Sequence, residues 1–168
     1  MSLETTRDLF LHELSDLVSA EHIFHKVLGE MADMAENADA KKAYSSHQKE
    51  TQGHIDRLMK AFTMMGEKPE QITCEAADGL RKEHESLKEE KPEGIVKELG
   101  LAMGAGKSEH YEIASYRMLA QVARGLGESD VADLLSQTLA EEEEAEKKVR
   151  EIARGMNSDI KAEETAAS

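Results

Sequence analysis

Residues 5–36 read TTRDLFLHELSDLVSAEHIFHKVLGEMADMAE, an uninterrupted helical pattern that decides the fold class of the chain. Thr5 and Asp8 approximate a capping box at its start. Apolar residues recur along it at alternating spacings of three and four, as one buried face of a helix requires. This stripe consists of Phe10, Leu14, Leu17, Glu21, Phe24, Leu28 and Met31, so one carboxylate stands in the middle of an apolar face.

Three further long helical patterns follow, over residues 39–65, 92–124 and 129–154. Asp39 is the expected N-cap of the second pattern, and glycines stand at or just beyond the ends of the others. A connection over residues 67–91, with a shorter helix at about 74–88, joins the second pattern to the third. Four long helices with one long crossover are the ferritin-like arrangement.

These patterns predict an all-α fold, a ferritin-like four-helix bundle with a long crossover connection containing a short extra helix. The aromatic content of 4% and the absence of tryptophan argue against a β-sandwich. The bundle is expected over residues 1–155. Residues 156–168 are small and polar, and we expect them to form a flexible C-terminal tail.

The composition excludes several classes of partner. Lys and Arg number 21 and Asp and Glu number 35, so the net charge is 21 − 35 = −14, which repels nucleic acid phosphates. No uncharged apolar run approaches the ~18 residues of a membrane span. The start of the sequence resembles no signal peptide, and Cys74 has no second cysteine to pair with. A reducing cytoplasm is therefore the expected location.

A carboxylate or histidine interrupts every apolar stripe near the middle of its helix. The interrupting residues are Glu21 in the first stripe, His47, Glu50 and His54 in the second, Glu109 or Glu112 in the third, and Glu142 and Glu146 in the fourth. An isolated buried carboxylate is costly unless it is paired, protonated or bound to a metal. A pair of divalent cations would supply the missing partners, and iron and manganese suit mixed carboxylate and imidazole ligands. We expect these side chains to converge at mid-bundle.

A single glutamate on a helix stripe is more often at the stripe edge, with its carboxylate in solvent. Four consecutive helical residues, such as 141–144, sweep about 300°, so at least one of them must approach the core. The register of the stripe selects Glu142. In the third helix either Glu109 or Glu112 faces inward, and both can do so because they lie one turn apart. Glu50 and His54 are separated by four, whereas His47 and Glu50 have the spacing of three in reverse order.

Several segments resemble the YciF-like bacterial stress proteins. They are DLF at 8–10, ELSD at 13–16, AE at 20–21, HQKETQGH at 47–54, EHYEIASY at 109–116 and parts of 134–142. The resemblance covers residues 5–153 and implies a ferritin-like bundle, a homodimer, and a di-iron or di-manganese centre. The ligands that it implies are Glu21, Glu50, His54, Glu109 or Glu112, Glu142 and Glu146.

Two functions remain open from the sequence. The first is a stress-associated protein with a dinuclear iron or manganese centre, whose ions could support oxidase or peroxide-handling chemistry. The second is a metal-free structural or interaction module whose acidic surface would favour a basic protein partner. No hydrolase signature or phosphate-binding loop is apparent, so catalytic residues are not assigned and enzymatic activity stays open.

Overall fold

Six helices make up the part of the chain that the structure, a computed structural model, describes, residues 3–166. They are α1 (Thr6–Met34), α2 (Ala38–Met64), α3 (Glu75–Glu90), α4 (Gly94–Gly125), α5 (Ser129–Gly155) and α6 (Asn157–Ala166). None of these six helices combines the length and apolarity that crossing a lipid bilayer requires. Residues 1–2 of the predicted bundle and residues 167–168 of the predicted tail lie outside the described range.

Two helix hairpins pair to form the bundle. α1 packs along α2 and α4 along α5, and the hairpins meet through contacts of α1 with α4 and of α2 with α5. The crossover helix α3 lies against α1 and α4, where it covers one side of the bundle. The prediction of an all-α, ferritin-like bundle with a helical crossover is therefore confirmed.

The helix starts follow from local hydrogen bonds. The Thr5 hydroxyl accepts from the Asp8 N–H at 3.1 Å and the Asp8 carboxylate accepts from the Thr5 N–H at 2.9 Å, which confirms the capping box. The prediction that Asp39 caps α2 is wrong. The amide oxygen of Asn37 instead accepts from the N–H groups of both Asp39 and Ala40 at 3.0 Å, so Asp39 lies in the first turn. An acidic residue there interacts favourably with the helix dipole.

The crossover helix is held at its start by a buried cysteine. Cys74 is the N-cap of α3, and its Sγ accepts from the Ala77 N–H at 3.4 Å. Further along, α3 approaches α4 closely at Gly100, where a Cβ would lie 2.8 Å from a methyl carbon of Leu87. A side chain at Gly100 would therefore push the crossover away from the bundle.

Two apolar cores lie toward opposite ends of the bundle. The first packs α1, α2, α4, α5 and the start of α3 around Phe10, Leu14, Leu58, Phe62, Leu119 and Leu135. The second is built mainly from Leu28, Met31, Tyr44, Leu101 and Val149. Between them the bundle interior contains buried glutamates and histidines, so each helix stripe is apolar at both ends and polar in its middle.

The segment expected to be a tail contains helix α6. The side chain of Met156 is buried and precedes α6, whereas residues 157–159 and 161–165 are exposed. Alanine, glutamate and lysine have high helix propensities, which explains why this polar segment becomes helical rather than irregular. Its flexibility stays a prediction.

Adjacent residues on α4 test which face of this helix is buried. Leu119 is 6% exposed within the first apolar core, whereas Met118 is 63% exposed. We expect Leu119→Ala to lower the free energy of unfolding by about 2–5 kcal/mol, because it removes buried methyl groups and leaves a cavity. Met118→Ala should change it by less than about 0.5 kcal/mol. Urea unfolding followed by circular dichroism measures both, and equal losses would contradict this packing.

Candidate metal centre

Six buried side chains from four helices meet between the two apolar cores. Glu21 comes from α1, His47 and His54 from α2, Glu109 and Glu112 from α4, and Glu142 from α5. None of the six is more than 6% exposed. We call this set the carboxylate–histidine centre.

The centre divides into two groups that share Glu142. Ligand atoms of His47, Glu109, Glu112 and Glu142 lie within 4.8 Å of one another, and so do those of Glu21, His54 and Glu142. One oxygen of Glu142 lies 3.2 Å from Nε2 of His47, and the other lies 2.7 Å from Nδ1 of His54. Glu142 thus stands between the two groups with one carboxylate oxygen toward each.

An outer carboxylate contacts the far nitrogen of each histidine. Nε2 of His47 lies 3.2 Å from Glu109, and its Nδ1 lies 3.4 Å from Glu50. Nδ1 of His54 faces the centre, while its Nε2 lies 3.0 Å from Glu141. Each outer carboxylate can accept an N–H, so in a neutral ring the nitrogen facing the centre is the one that carries the lone pair.

Two further side chains support these groups from α2 and α4. The Arg57 guanidinium forms an ion pair with Glu141 and donates to the Thr138 hydroxyl at 2.8 Å. The Tyr116 hydroxyl donates a hydrogen bond to Glu21. Neither Arg57 nor Glu141 was assigned a role from the sequence. The spacing of three between His54 and Arg57 was the available signal, since it places both on one face of α2.

Several buried polar atoms of the centre have no hydrogen-bond partner among the described residues. They are Oε2 of Glu21, Nδ1 of His54, Oε2 of Glu109 and both oxygens of Glu142. Nδ1 of His54 and Oε1 of Glu142 are 2.7 Å apart, yet they are not aligned as a hydrogen bond. Buried polar groups normally find partners. Unpaired carboxylate oxygens and an imidazole nitrogen in such proximity fit a divalent metal site.

The pKa values reflect burial and mutual contact. Burial raises the pKa of Glu21 and Glu112, and it raises that of Glu109 to about 7. Burial by itself would also raise the pKa of Glu142, but the adjacent His47 and His54 outweigh it and lower that pKa. Burial would lower the pKa of His54, but Glu142 and Glu21 raise it to about 9. Burial would also lower the pKa of His47, but Glu109 and Glu142 raise it well above its usual value, so without a metal both histidines are imidazolium near neutral pH.

Two of the predicted ligands lie outside both groups. The side chain of Glu50 is 38% exposed, contacts the outer nitrogen of His47 and accepts from the Ser46 hydroxyl at 3.4 Å. At about 100° per residue, Glu50 is rotated about 60° from His47, which puts it at the edge of the inward face. Glu146 pairs with Arg150 at 3.2 Å and lines a pocket between α4 and α5.

The other predicted residues come together. Glu21, His54 and Glu142 form one group, and both Glu109 and Glu112, between which the sequence left a choice, join the other. His47 belongs to the group of Glu109 and Glu112. It faces the centre, as His54 does, because the two histidines are two turns apart on one face of α2.

The fold and this centre define a class of protein, the ferritin-like four-helix bundles with carboxylates and histidines buried at mid-bundle. Within this class, the chain belongs to the family described as "Domain of unknown function (DUF892)", whose family model matches residues 5–162. Similarity to the E. coli protein YciF confirms the resemblance to YciF-like proteins.

One relative, YciF of E. coli, is similar to this chain both in sequence and in structure. Protein YciF of Escherichia coli strain K12 is 35% identical over 154 residues, which cover 91% of this chain and 93% of that protein. The crystal structure of the E. coli stress protein YciF superposes with a TM-score of 0.86, covering 89% of this chain and 95% of that one.

A more distant solved structure shares the fold alone. The bacterioferritin-related protein of Bacteroides fragilis, described as a dodecameric thioferritin, is 18% identical and has a TM-score of 0.74. It covers 94% of this chain and 91% of its own.

The raised carboxyl pKa values make the metal-free protein less stable as the pH rises. Folded Glu109, with a pKa of about 7, holds a proton that an ordinary carboxyl of pKa 4.5 releases, so its stabilising contribution is lost as pH rises through that window. His54, raised from 6.5 to about 9, extends the loss to higher pH. We expect chelator-treated protein to unfold at lower urea concentration at about pH 9 than at about pH 5.5.

Glu109→Gln isolates the contribution of this carboxyl. The variant should lose less stability than the wild type between pH 4.5 and 7, where Glu21 and Glu112 still contribute, and keep the loss above pH 6.5. Comparison with the wild type at each pH removes the effects of other groups, such as His84, whose lowered pKa acts in the opposite direction. An unchanged profile in Glu109→Gln would contradict the raised pKa.

Proposed function

We propose that this chain is a stress-associated ferritin-like protein that binds two divalent ions, iron or manganese, in the carboxylate–histidine centre. The observation that carries the proposal is the position of Glu142, whose two buried oxygens face two histidines without hydrogen-bond alignment. A carboxylate in this position suits a bridge between two metal ions. The stress association rests on similarity to the E. coli stress protein YciF.

Charge balance supports two ions rather than one. Four buried glutamates carry a charge of −4 when ionised, and two divalent cations carry +4 when both histidines are neutral. In the apo protein the same carboxylates must be protonated or paired with imidazolium, because buried like charges cannot all ionise. Metal binding should therefore displace protons from the centre.

The proposed ligands divide between the ions. Glu21 and His54 would hold one ion, His47, Glu109 and Glu112 the other, and Glu142 would bridge both. Bound iron or manganese would supply the redox chemistry that the protein residues themselves lack.

The surrounding residues orient the ligands and control protons. Glu141, held by Arg57, would keep the remaining N–H of His54 on the outer side of the ring once metal binding displaces a proton, so Nδ1 would face the ion. The Tyr116 hydroxyl holds a proton against Glu21. The apolar cores above and below exclude water, which strengthens these electrostatic interactions.

The substitution Glu142→Gln tests the proposal, with Glu146→Gln as its matched control one turn away on α5. Wild-type protein dialysed against Mn²⁺ or anaerobic Fe²⁺ should hold two ions per chain, measured by inductively coupled plasma mass spectrometry. Glu142→Gln should lose both because both ions share this ligand, while Glu146→Gln should keep them. Metal at about 100 times its Kd should raise the free energy of unfolding by about 2.7 kcal/mol per site.

The same pair of variants tests whether the bound ions support peroxide-handling chemistry. Wild type and Glu146→Gln should accelerate oxidation of Fe²⁺ by hydrogen peroxide over the rate in buffer, and Glu142→Gln should not. Wild-type protein that binds no metal would contradict the proposal. It would favour the metal-free module, whose acidic surface, with a chain net charge of −14, suits a basic protein partner.

We further infer a homodimer that functions in the reducing cytoplasm, where a lone, buried Cys74 stays a thiol. The α1–α2 hairpin exposes Leu9, Met59 and Met64, each more than 40% accessible, and such apolar side chains suit an interface.

Charge placed on this hairpin tests the dimer. Multi-angle light scattering should give twice the chain mass of 18.6 kDa for the wild type. Met59→Glu with Met64→Glu should shift the protein toward the monomer, because an interface must desolvate the new charges. The matched change on α4, Met103→Glu with Met118→Glu, should leave the dimer intact. A wild type that is monomeric across a wide concentration range would rule the dimer out.

A further inference from the structure

A groove between α2 and α5 leads from the surface toward the carboxylate–histidine centre. Its outer part is a cavity of about 600 Å³ whose lining includes Asp39, Lys42 and Glu151. A neighbouring inner cavity of about 30 Å³ is lined in part by His47, Glu50 and Glu109. Both cavities share Ala43, Ser46 and Lys148, and we call these three residues the throat.

The inner cavity touches the centre itself. Its lining includes His47 and Glu109, which belong to the group that would hold one ion. The pocket of about 190 Å³ between α4 and α5 is different, because none of the six centre residues lines it. Glu146 and Ala153 line that pocket instead. The two pockets therefore offer a matched comparison on either side of α5.

Carboxylates stand at both ends of the groove. Asp39 and Glu151 line the outer part together with two lysines, and Glu50 lies at the inner end. The carboxylate of Glu50 is 38% exposed and also contacts His47, so it faces both solvent and the centre. A cation bound by Glu50 would need only a short movement to reach Glu109.

Two throat residues control passage in different ways. Ala43 contributes only a methyl group to the lining that both cavities share, so a larger side chain there would narrow the throat. Lys148 lines both cavities and places an ammonium group near Glu50, where it competes with an incoming cation for this carboxylate. The throat thus combines a small side chain with a movable positive charge.

We propose that the throat is the entry route for the divalent cations, with Glu50 as a transient ligand and Lys148 as the charge that a cation must displace. This inference rests on the proposed metal-binding function. It also gives Glu50, which lies outside both ligand groups, a role that its position explains.

The route is tested by the rate of metal loading rather than by its extent. Chelator-stripped, full-length protein is mixed with Co²⁺ in a stopped-flow instrument, and the visible absorption of the bound ion is followed. Ala43→Phe should slow loading by about tenfold or more, because binding then requires the helices to move apart. Ala153→Phe, the matched control in the α4–α5 pocket, should load at the wild-type rate. Final Co²⁺ stoichiometry should be the same in all three proteins.

Lys148→Gln provides a second, electrostatic test. Removing this ammonium group should speed loading several-fold at low ionic strength, and added salt should shrink the difference. Ala43→Leu, a smaller change, replaces Ala43→Phe if circular dichroism shows that the phenylalanine variant is not folded.

The outcomes separate the route from the function. Wild-type protein that takes up no Co²⁺ would overturn the proposed metal binding and the route together. Normal uptake by wild type with unchanged rates in both the Ala43 and Lys148 variants would overturn the route alone. Equal slowing by Ala43→Phe and Ala153→Phe would also overturn it, because the effect would then not be specific to the throat.

Discussion

The structure depends on the burial of four carboxylates at the middle of an otherwise apolar bundle. Glu21, Glu109, Glu112 and Glu142 are almost fully excluded from solvent, and their mutual repulsion in that environment is severe. Without a metal, the two histidines and retained protons must offset it, and the raised pKa values of three of the four carboxyls show the cost. Hydrophobic packing at both ends must supply the stability that this layer lacks.

The outer residues make sense as supports for this layer. Each histidine lies between a central carboxylate and an outer one, Glu50 for His47 and Glu141 for His54. An outer acceptor fixes the tautomer and ring orientation, so the inner nitrogen is directed before any ligand arrives. Glu50 is the more exposed of this outer pair, and it also lines the inner cavity below the groove between α2 and α5. Glu50 therefore both orients the His47 ring and lines the cavity that reaches it.

Membership of the family described as DUF892 brings the fold and a set of relatives but no defined activity. The match to E. coli YciF spans nearly the whole of both chains, so the two proteins share their architecture from end to end. Function must be argued from the site, because ferritin-like bundles support more than one chemistry. Here the unpaired oxygens of Glu142 and the opposed histidines carry that argument.

The sequence by itself determined the four long helices, the crossover and the polar middle of each stripe, because helical periodicity is a local property. It identified Glu21 and Glu142 directly, since no helix register could place the 141–144 run wholly in solvent. Only the tertiary structure decided that Glu109 and Glu112 both face inward, that His47 joins them, and that Glu50 and Glu146 do not. An apolar stripe gives only the approximate direction in which a side chain points around its own helix. Which of the inward side chains contacts a neighbouring helix depends on how the four helices cross, and that information is not local.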